Sequence, residues 1–298
     1  MSRDASPLTN ISGFERHGID LDDGHVSYQV GGVTGPAVIL LHGASLDNGS
    51  ITWRQVAEDL SRDHRVYTPD LPKHGASWPW RARADQRGLE SVVIDLMDAW
   101  GVGSASLVGL SMGAAVALGT ALNNPERVDA LVLAACGGIQ DRVRAHEISY
   151  LSLRAPISWA LTRLQSPKAL EDFARSKLPY ADDVTDQDVD FLARAYRVEY
   201  GSKRRGGGHL FSDWNRFEVG FRRMRTNFMP RMEELRRPTL FLHGDRDDAV
   251  PLALAEEAAR RTLLGRIQVI EGASHFLPQD HPVETVRAVR EFLEEIER

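Results

Sequence analysis

Ala105-Ser106-Leu107-Val108-Gly109-Leu110-Ser111-Met112-Gly113-Ala114-Ala115-Val116-Ala117-Leu118 is the stretch that decides how this chain folds. Its first four residues read as a short buried strand, and Ala114 to Leu118 continue as good helix formers. Gly109 and Gly113 flank Ser111 and leave room for strand and helix to cross closely. A serine in so tight a strand-to-helix turn points its hydroxyl away from the backbone, and the helix N-terminus behind it favours developing negative charge. Read alone, the same residues also describe a small-residue helix start with Ser111 as its cap. The rest of the chain has to decide between the two.

Working outward, Val26 to Leu41 reads as strand, Gly31-Gly32 turn, then the apolar run Val38-Ile39-Leu40-Leu41, which stops at His42-Gly43-Ala44-Ser45. Continuous runs of this kind mark strands buried on both faces. Trp53 to Leu60 is helical, Val66-Tyr67-Thr68 a strand, and Asp70 to Gly75 a turn-rich loop. Residues 88–100 return to helical spacing, and Val128 to Ala134 is a strand again. The alternation predicts parallel β-α-β units covered by helices on both sides.

From about Gly138 to Arg237 the alternation stops, and the chain is helix-like, aromatic-rich and broken at Pro156, Pro167, Pro179, Gly206-Gly208 and Pro230. Strand signals resume at Thr239 to Leu242 and at Arg266 to Ile270. The last helix repeats Val283, Val286, Val289, Leu293 and Ile296, a stripe predicted to face the sheet. The expected division is therefore a core of residues 1–137 and 238–298, interrupted by an inserted segment of residues 138–237. No internal repeat or low-complexity segment is found, and the first ten residues are expected to be loose.

A chain of 298 residues with 42% apolar content can bury one large core. Net charge near −6, with no basic stripe, argues against an electrostatic nucleic-acid binder. Lys203-Arg204-Arg205, followed by three glycines, reads as a solvated loop. The single cysteine, Cys136, excludes an internal disulfide, and Met1-Ser2-Arg3-Asp4 opens no apolar signal segment. No stretch approaches the roughly 18 apolar residues of a membrane span, so a cytoplasmic protein without a membrane partner is expected. Self-association is left open. His209 and Asp213 lie four apart without further metal-ligating neighbours, and Gly101-x-Gly103 lacks the strand-before, helix-after setting of a dinucleotide loop. Neither metal nor cofactor is expected.

If Ser111 attacks a carbonyl, a base must take its proton and a third group must hold that base in the right tautomer. The strand at Thr239 to Leu242 runs into His243-Gly244-Asp245-Arg246-Asp247-Asp248-Ala249-Val250-Pro251, and the next ends in Glu271-Gly272-Ala273-Ser274-His275-Phe276. Each of these acids could be a turn residue, and His275 could cap the next element. Their joint occurrence after separate strands, in the order Ser, Asp, His, is what loops at the C-terminal edge of one parallel sheet would give.

With these residues in view the chain resembles the α/β-hydrolase superfamily across nearly its whole length. His42-Gly43-Ala44 is similar to the oxyanion loop, Asp70 to Ser77 to the loop written D-x-x-G-x-G-x-S, and Gly109 to Gly113 to the nucleophile elbow. Gly244-x-x-Asp247-x-x-x-Pro251 resembles the acid loop and selects Asp247 over Asp245 and Asp248; Gly272-x-Ser274-His275 resembles the histidine loop. Lys73 departs from the pattern, standing where the family often has glycine. The resemblance implies an α/β-hydrolase fold, a mostly parallel central sheet flanked by helices, with residues 138–237 as a helical cap. It implies Ser111, Asp247 and His275 as the catalytic residues, backbone N–H groups of Ala44 and Met112 as the oxyanion hole, and His42 and Gly43 as support for that loop.

The activity implied is cleavage of a carboxylic ester or lactone through an acyl-enzyme, the partner being a small-molecule ester or related carbonyl compound. A carbon–carbon hydrolase acting on a β-diketone-like acid is the alternative, with Arg197, Arg222, Arg223 and Arg225 as candidate holders of the substrate carboxylate. A non-catalytic small-molecule binder of the same fold is a third. Dehalogenase and epoxide-hydrolase chemistry is disfavoured, because the nucleophile position is serine and not aspartate. The inserted segment carries Trp159, Leu161, Leu164, Phe173, Leu178, Tyr180, Phe191, Tyr196, Phe211, Trp214, Phe217, Phe221 and Phe228. Most are expected to pack its helices together and a subset to face Ser111, giving an apolar pocket.

Overall fold

The alternation of β-branched and leucine residues with amphipathic helices produces an eight-stranded sheet in the order β1-β2-β4-β3-β5-β6-β7-β8. The computed structural model describes residues 10–298. The looseness expected of the first ten residues falls, all but Asn10, outside them. The strands are β1 (Glu15–Leu21), β2 (Gly24–Gly31), β3 (Ala37–Leu41), β4 (Arg65–Pro69), β5 (Ala105–Leu110), β6 (Val128–Ala134), β7 (Thr239–Gly244) and β8 (Gly265–Ile270). β1 and β2 pair antiparallel, as do β2 and β4, and every later pairing is parallel.

Side chains alternate across a strand, and in β3 that alternation is visible residue by residue. Val38 and Leu40 enter one apolar core, packed under α1 (Gly49–Leu60) and the final helix, while Ile39 and Leu41 enter the other, under α2 (Gln86–Trp100) and α3 (Met112–Asn123). All four are fully or almost fully buried, worth roughly 1.5–3 kcal/mol each. α1 starts at Gly49, four residues before the expected Trp53, because Asn48 caps it by accepting from Ser50 N–H and Ile51 N–H.

Between β6 and β7 lie five helices in succession: α4 (His146–Ser152), α5 (Ile157–Leu164), α6 (Pro167–Ser176), α7 (Asp186–Arg205) and α8 (Asp213–Glu218). They form the inserted helical cap. The rest of the core consists of α9 (Leu252–Arg261), α10 (Leu277–Asp280) and α11 (Pro282–Ile296). No helix among the described residues is long and apolar enough to cross a membrane.

Three expectations need correction. Lys203, Arg204 and Arg205 are not a loop but the last turn of α7, and Lys203 is only 1% exposed. Of the stripe on α11, Val283 departs at 45% exposed, while Val289 and Leu293 are buried and Val286 and Ile296 pack against the same core beside Thr285, Ala288 and Phe292. Within the cap, Trp159 and Leu164 lie at the surface, 52% and 82% exposed, and Phe221, though 64% exposed, packs edge-on against Tyr150 of α4 at 5.4 Å.

Candidate active site

Ser111 stands between β5 and α3 with φ 52° and ψ −107°, a conformation that residues with a Cβ rarely adopt. The backbone around it is over-determined: Ser111 N–H donates to the Ala134 carbonyl at 2.9 Å, and its carbonyl accepts from Ala115 N–H and Gly137 N–H, both at 3.0 Å. A Cβ at Gly113 would sit 2.1 Å from the Leu41 carbonyl oxygen, and one at Gly109 would sit 2.4 Å from Gly113 backbone. Both positions need glycine because β5, α3 and the end of β3 cross there. The hydroxyl makes no cap bond to its own helix, so the capping alternative raised by the sequence does not describe it.

Instead Ser111 Oγ lies 2.9 Å from His275 Nε2, and His275 Nδ1 lies 2.9 Å from Asp247 Oδ2. The three side chains come from the ends of β5, β7 and β8, brought together at the C-terminal edge of the sheet. Asp247 Oδ1 accepts from Ala249 N–H at 2.7 Å and Val250 N–H at 2.9 Å, which leaves Oδ2 for the histidine. Burial alone would raise this carboxyl, but the His275 hydrogen bond, the histidine's charge and the Val250 N–H outweigh it and hold the group below the usual carboxylate range. The neighbouring acids do other things: Asp245 accepts from Gly272 N–H at 2.7 Å, and Asp248 is solvent-exposed, 3.5 Å from Arg144. The loop carrying His275 is anchored by Ser274 N–H donating to Asp280 Oδ2 at 3.1 Å.

The loop after β3 is equally constrained. His42 Nε2 accepts from Leu71 N–H at 2.9 Å, so its proton is on Nδ1, which donates to the Gly43 carbonyl at 2.7 Å. Burial pushes His42 down to about 4, so it is neutral, and both ring nitrogens are already engaged. In a trans peptide the C=O and the following N–H point opposite ways, so fixing the Gly43 carbonyl on His42 turns the Ala44 N–H away from it. Ala44 lines the same cavity as Ser111. Met112 is the first residue of α3, where backbone N–H groups have no partner within the helix. Lys73 has φ 67°, which accounts for glycine in the resembling motif, and its ammonium reaches Asp213 Oδ2 at 2.5 Å.

Above the serine is a cavity of about 580 Å³. Its walls are largely apolar, with Leu46 and Leu110 from the core and Leu170, Phe173, Phe211 and Trp214 from the cap. Arg144, not singled out from the sequence, is also on its wall. Arg197 is not: it pairs with Glu171 at 3.1 Å. Arg222, Arg223 and Arg225 line a separate surface cleft with Asp141. His209 and Asp213, four apart in sequence, have separate partners: His209 Nδ1 meets Ser158 Oγ at 3.2 Å while Asp213 pairs with Lys73 and Arg216.

Residues 38–289 match the model of the alpha/beta hydrolase family, and the chain belongs to it. That family places it among hydrolytic enzymes. Over its length it is similar to an uncharacterised protein of Mycobacterium tuberculosis, 25% identical over 303 residues that cover 99% of this chain and 84% of the relative. Among solved structures it resembles a serine hydrolase of the polyaromatic-hydrocarbon-degrading bacterium Cycloclasticus zankles, with TM-score 0.76, 19% identity and coverage of 95% and 98% of the two chains. A thermophilic esterase from Thermogutta terrifontis gives TM-score 0.72 at 22% identity, covering 95% of this chain and all of that one. At these identities the structural likeness concerns the fold.

Proposed function

We propose that the protein hydrolyses carboxylic esters or lactones of small to medium, largely apolar substrates, with Ser111 as nucleophile, His275 as general base and Asp247 as the group that orients it. The observation that carries this reading is the continuous hydrogen-bond line Ser111–His275–Asp247 opening on an apolar cavity. Ser111 Oγ adds to the substrate carbonyl carbon as its proton passes to His275 Nε2. The tetrahedral oxyanion is received by Met112 N–H and Ala44 N–H. Collapse breaks the ester C–O bond, and the leaving alcohol takes the proton from His275. Water repeats the sequence on the acyl-enzyme and frees Ser111. The esterase from Thermogutta terrifontis, by its name, and the serine hydrolase from Cycloclasticus zankles agree with this class of chemistry. Residues 138–237 are, on this reading, the cap that supplies most of the apolar wall.

Because these donors are main-chain, the informative variant is Ala44→Pro, which removes one N–H. Turnover of p-nitrophenyl butyrate is expected to fall at least about tenfold with the fold retained, since losing one such donor costs about 3 kcal/mol of transition-state stabilisation. Unchanged turnover by a folded variant would remove Ala44 from the assignment.

A carbon–carbon hydrolase reading has one observation in its favour, Arg144 on the cavity wall, a cation that could meet a substrate carboxylate. A panel of p-nitrophenyl esters, methyl esters, lactones and a vinylogous diketone acid separates the two. Ester or lactone turnover is expected, with Arg144→Gln changing kcat/KM for neutral esters by less than about twofold, as for a surface side chain away from the reacting atoms. Turnover confined to the diketone acid and lost in Arg144→Gln would favour carbon–carbon cleavage.

A further inference from the structure

The cap helix α7 turns one polar side into the core. Glu199 and Lys203, one helical turn apart, are each 1% exposed. Glu199 Oε2 accepts from Asn48 Nδ2 and from Gly75 N–H, both at 3.0 Å. Lys203 Nζ donates to the Lys73 carbonyl at 3.0 Å, and Ser202 Oγ to the Gly75 carbonyl at 2.5 Å. Both receiving loops belong to the core, one before α1 and one after β4. Burial raises Glu199 and lowers Lys203 from their ordinary values, and each partly offsets the other's shift. A buried pair of this kind is weak evidence of net stability, so its role has to be sought in what it holds.

From Asn48 the contacts run on to the loop beside Ser111. Asn48 N–H donates to Asp47 Oδ1 at 2.9 Å, while Asp47 Oδ2 accepts from Gly43 N–H at 2.7 Å and from Thr52 Oγ1. Burial pushes the Asp47 carboxyl up to about 7 against these hydrogen bonds. Backbone N–H groups donate to both of its oxygens, Asn48 to Oδ1 and Gly43 to Oδ2, so an amide in either orientation would set its NH₂ against an N–H. Gly43 is thereby held at both ends, its N–H by Asp47 and its carbonyl by His42, and the next N–H is that of Ala44.

We propose that Asp47 is a positioning residue that fixes the Gly43–Ala44 peptide in the orientation the oxyanion needs, and that Glu199 of the cap secures it through Asn48. The seated cap, and not the core alone, then sets the geometry of one oxyanion donor. The inference rests on the serine-hydrolase reading and on Ala44 as a donor. Asp47 and Glu199 act through the loop, so their loss weakens transition-state binding while ground-state binding of an apolar ester in the cavity is little changed.

Three variants test it: Asp47→Asn, which puts an NH₂ against one of the two backbone donors; Glu199→Leu, which removes the acceptor for Asn48; and Glu199→Gln, which keeps one. kcat and KM are measured with p-nitrophenyl butyrate, and Ki with an aryl trifluoromethyl ketone, whose tetrahedral serine adduct places an oxyanion on the same donors. Expected are a kcat loss of about 10- to 100-fold for Asp47→Asn, about 3- to 10-fold for Glu199→Leu and under about twofold for Glu199→Gln, with KM within about threefold throughout. Ketone Ki should rise in proportion to the loss in kcat/KM. A folded Asp47→Asn or Glu199→Leu with kcat within about twofold of wild type, or a rise in KM with ketone Ki unchanged, overturns the proposal. If Asp47→Asn fails to fold, the Glu199 pair decides; if Glu199→Leu fails as well, the role is structural and the proposal falls. Ser111→Ala is the control: turnover surviving in it defeats the serine-hydrolase reading itself, whereas its loss beside unaffected Asp47 and Glu199 variants defeats only the positioning role.

Discussion

Ser111→Ala is expected to abolish stoichiometric labelling by a fluorophosphonate probe and to lower kcat by roughly 10⁶, about 8 kcal/mol of barrier. The expectation follows from what the backbone does at this residue. Its φ of 52° is held by hydrogen bonds to Ala134, Ala115 and Gly137, and the hydroxyl is left with no cap bond and His275 Nε2 at 2.9 Å. Alanine can occupy the same backbone conformation at similar strain, so the fold should survive and the loss should be one of chemistry. The cavity wall is unchanged by removing one oxygen atom, so an apolar ester should still bind. A residual rate over water can persist from the oxyanion donors and binding alone. A folded wild-type protein that takes no label, or a Ser111→Ala variant that keeps ester turnover, would contradict the proposed mechanism and return the non-catalytic binding reading to the front.

What the sequence discloses about this molecule depends on whether a feature is decided by near or distant residues. The strand–turn–helix around Ser111 is legible because Gly109, Ser111 and Gly113 lie within five residues and only one geometry suits them all. The acid and histidine loops are legible for a related reason: strands such as Thr239 to Leu242 end abruptly, and their C-terminal ends must share one sheet edge. β1 is not legible, since Glu15, Arg16, His17 and Asp20 give an edge strand with no apolar run, identified only by its pairing to β2. The Lys203 side chain also defeats local reading. Three basic residues before three glycines look solvated, yet Lys203 is buried by an oxygen of Lys73, 130 positions earlier in the chain. Asp47 and Glu199 are hidden in the same way, 152 residues apart and joined only through Asn48. The arginines fail differently: composition places Arg222, Arg223 and Arg225 near the cap, but only the fold shows that they face another cleft while Arg144 reaches the cavity.

Asp247→Asn should reduce turnover by roughly 10⁴, about 5 kcal/mol, with substrate binding largely retained. The size of the effect follows from which way the new amide must face. Ala249 N–H and Val250 N–H both donate to Oδ1, so the amide oxygen of asparagine is kept on that side and its NH₂ is turned toward His275. An N–H there cannot accept from Nδ1. The imidazole must instead present a bare Nδ1 and carry its proton on Nε2, which then donates to Ser111 Oγ and cannot take the serine's proton. Geometry near 2.9 Å can survive while the tautomer is wrong, and so binding and folding should change little as kcat falls. Asp245→Asn and Asp248→Asn serve as controls, since the first accepts a loop N–H and the second is 94% exposed beside Arg144. Each should stay within about threefold of wild type, as exposed substitutions usually do. The assignment of Asp247 is wrong if Asp247→Asn keeps nearly full kcat on p-nitrophenyl esters while either neighbour abolishes it, because no other carboxylate of the cluster is hydrogen-bonded to His275 Nδ1 among the described residues.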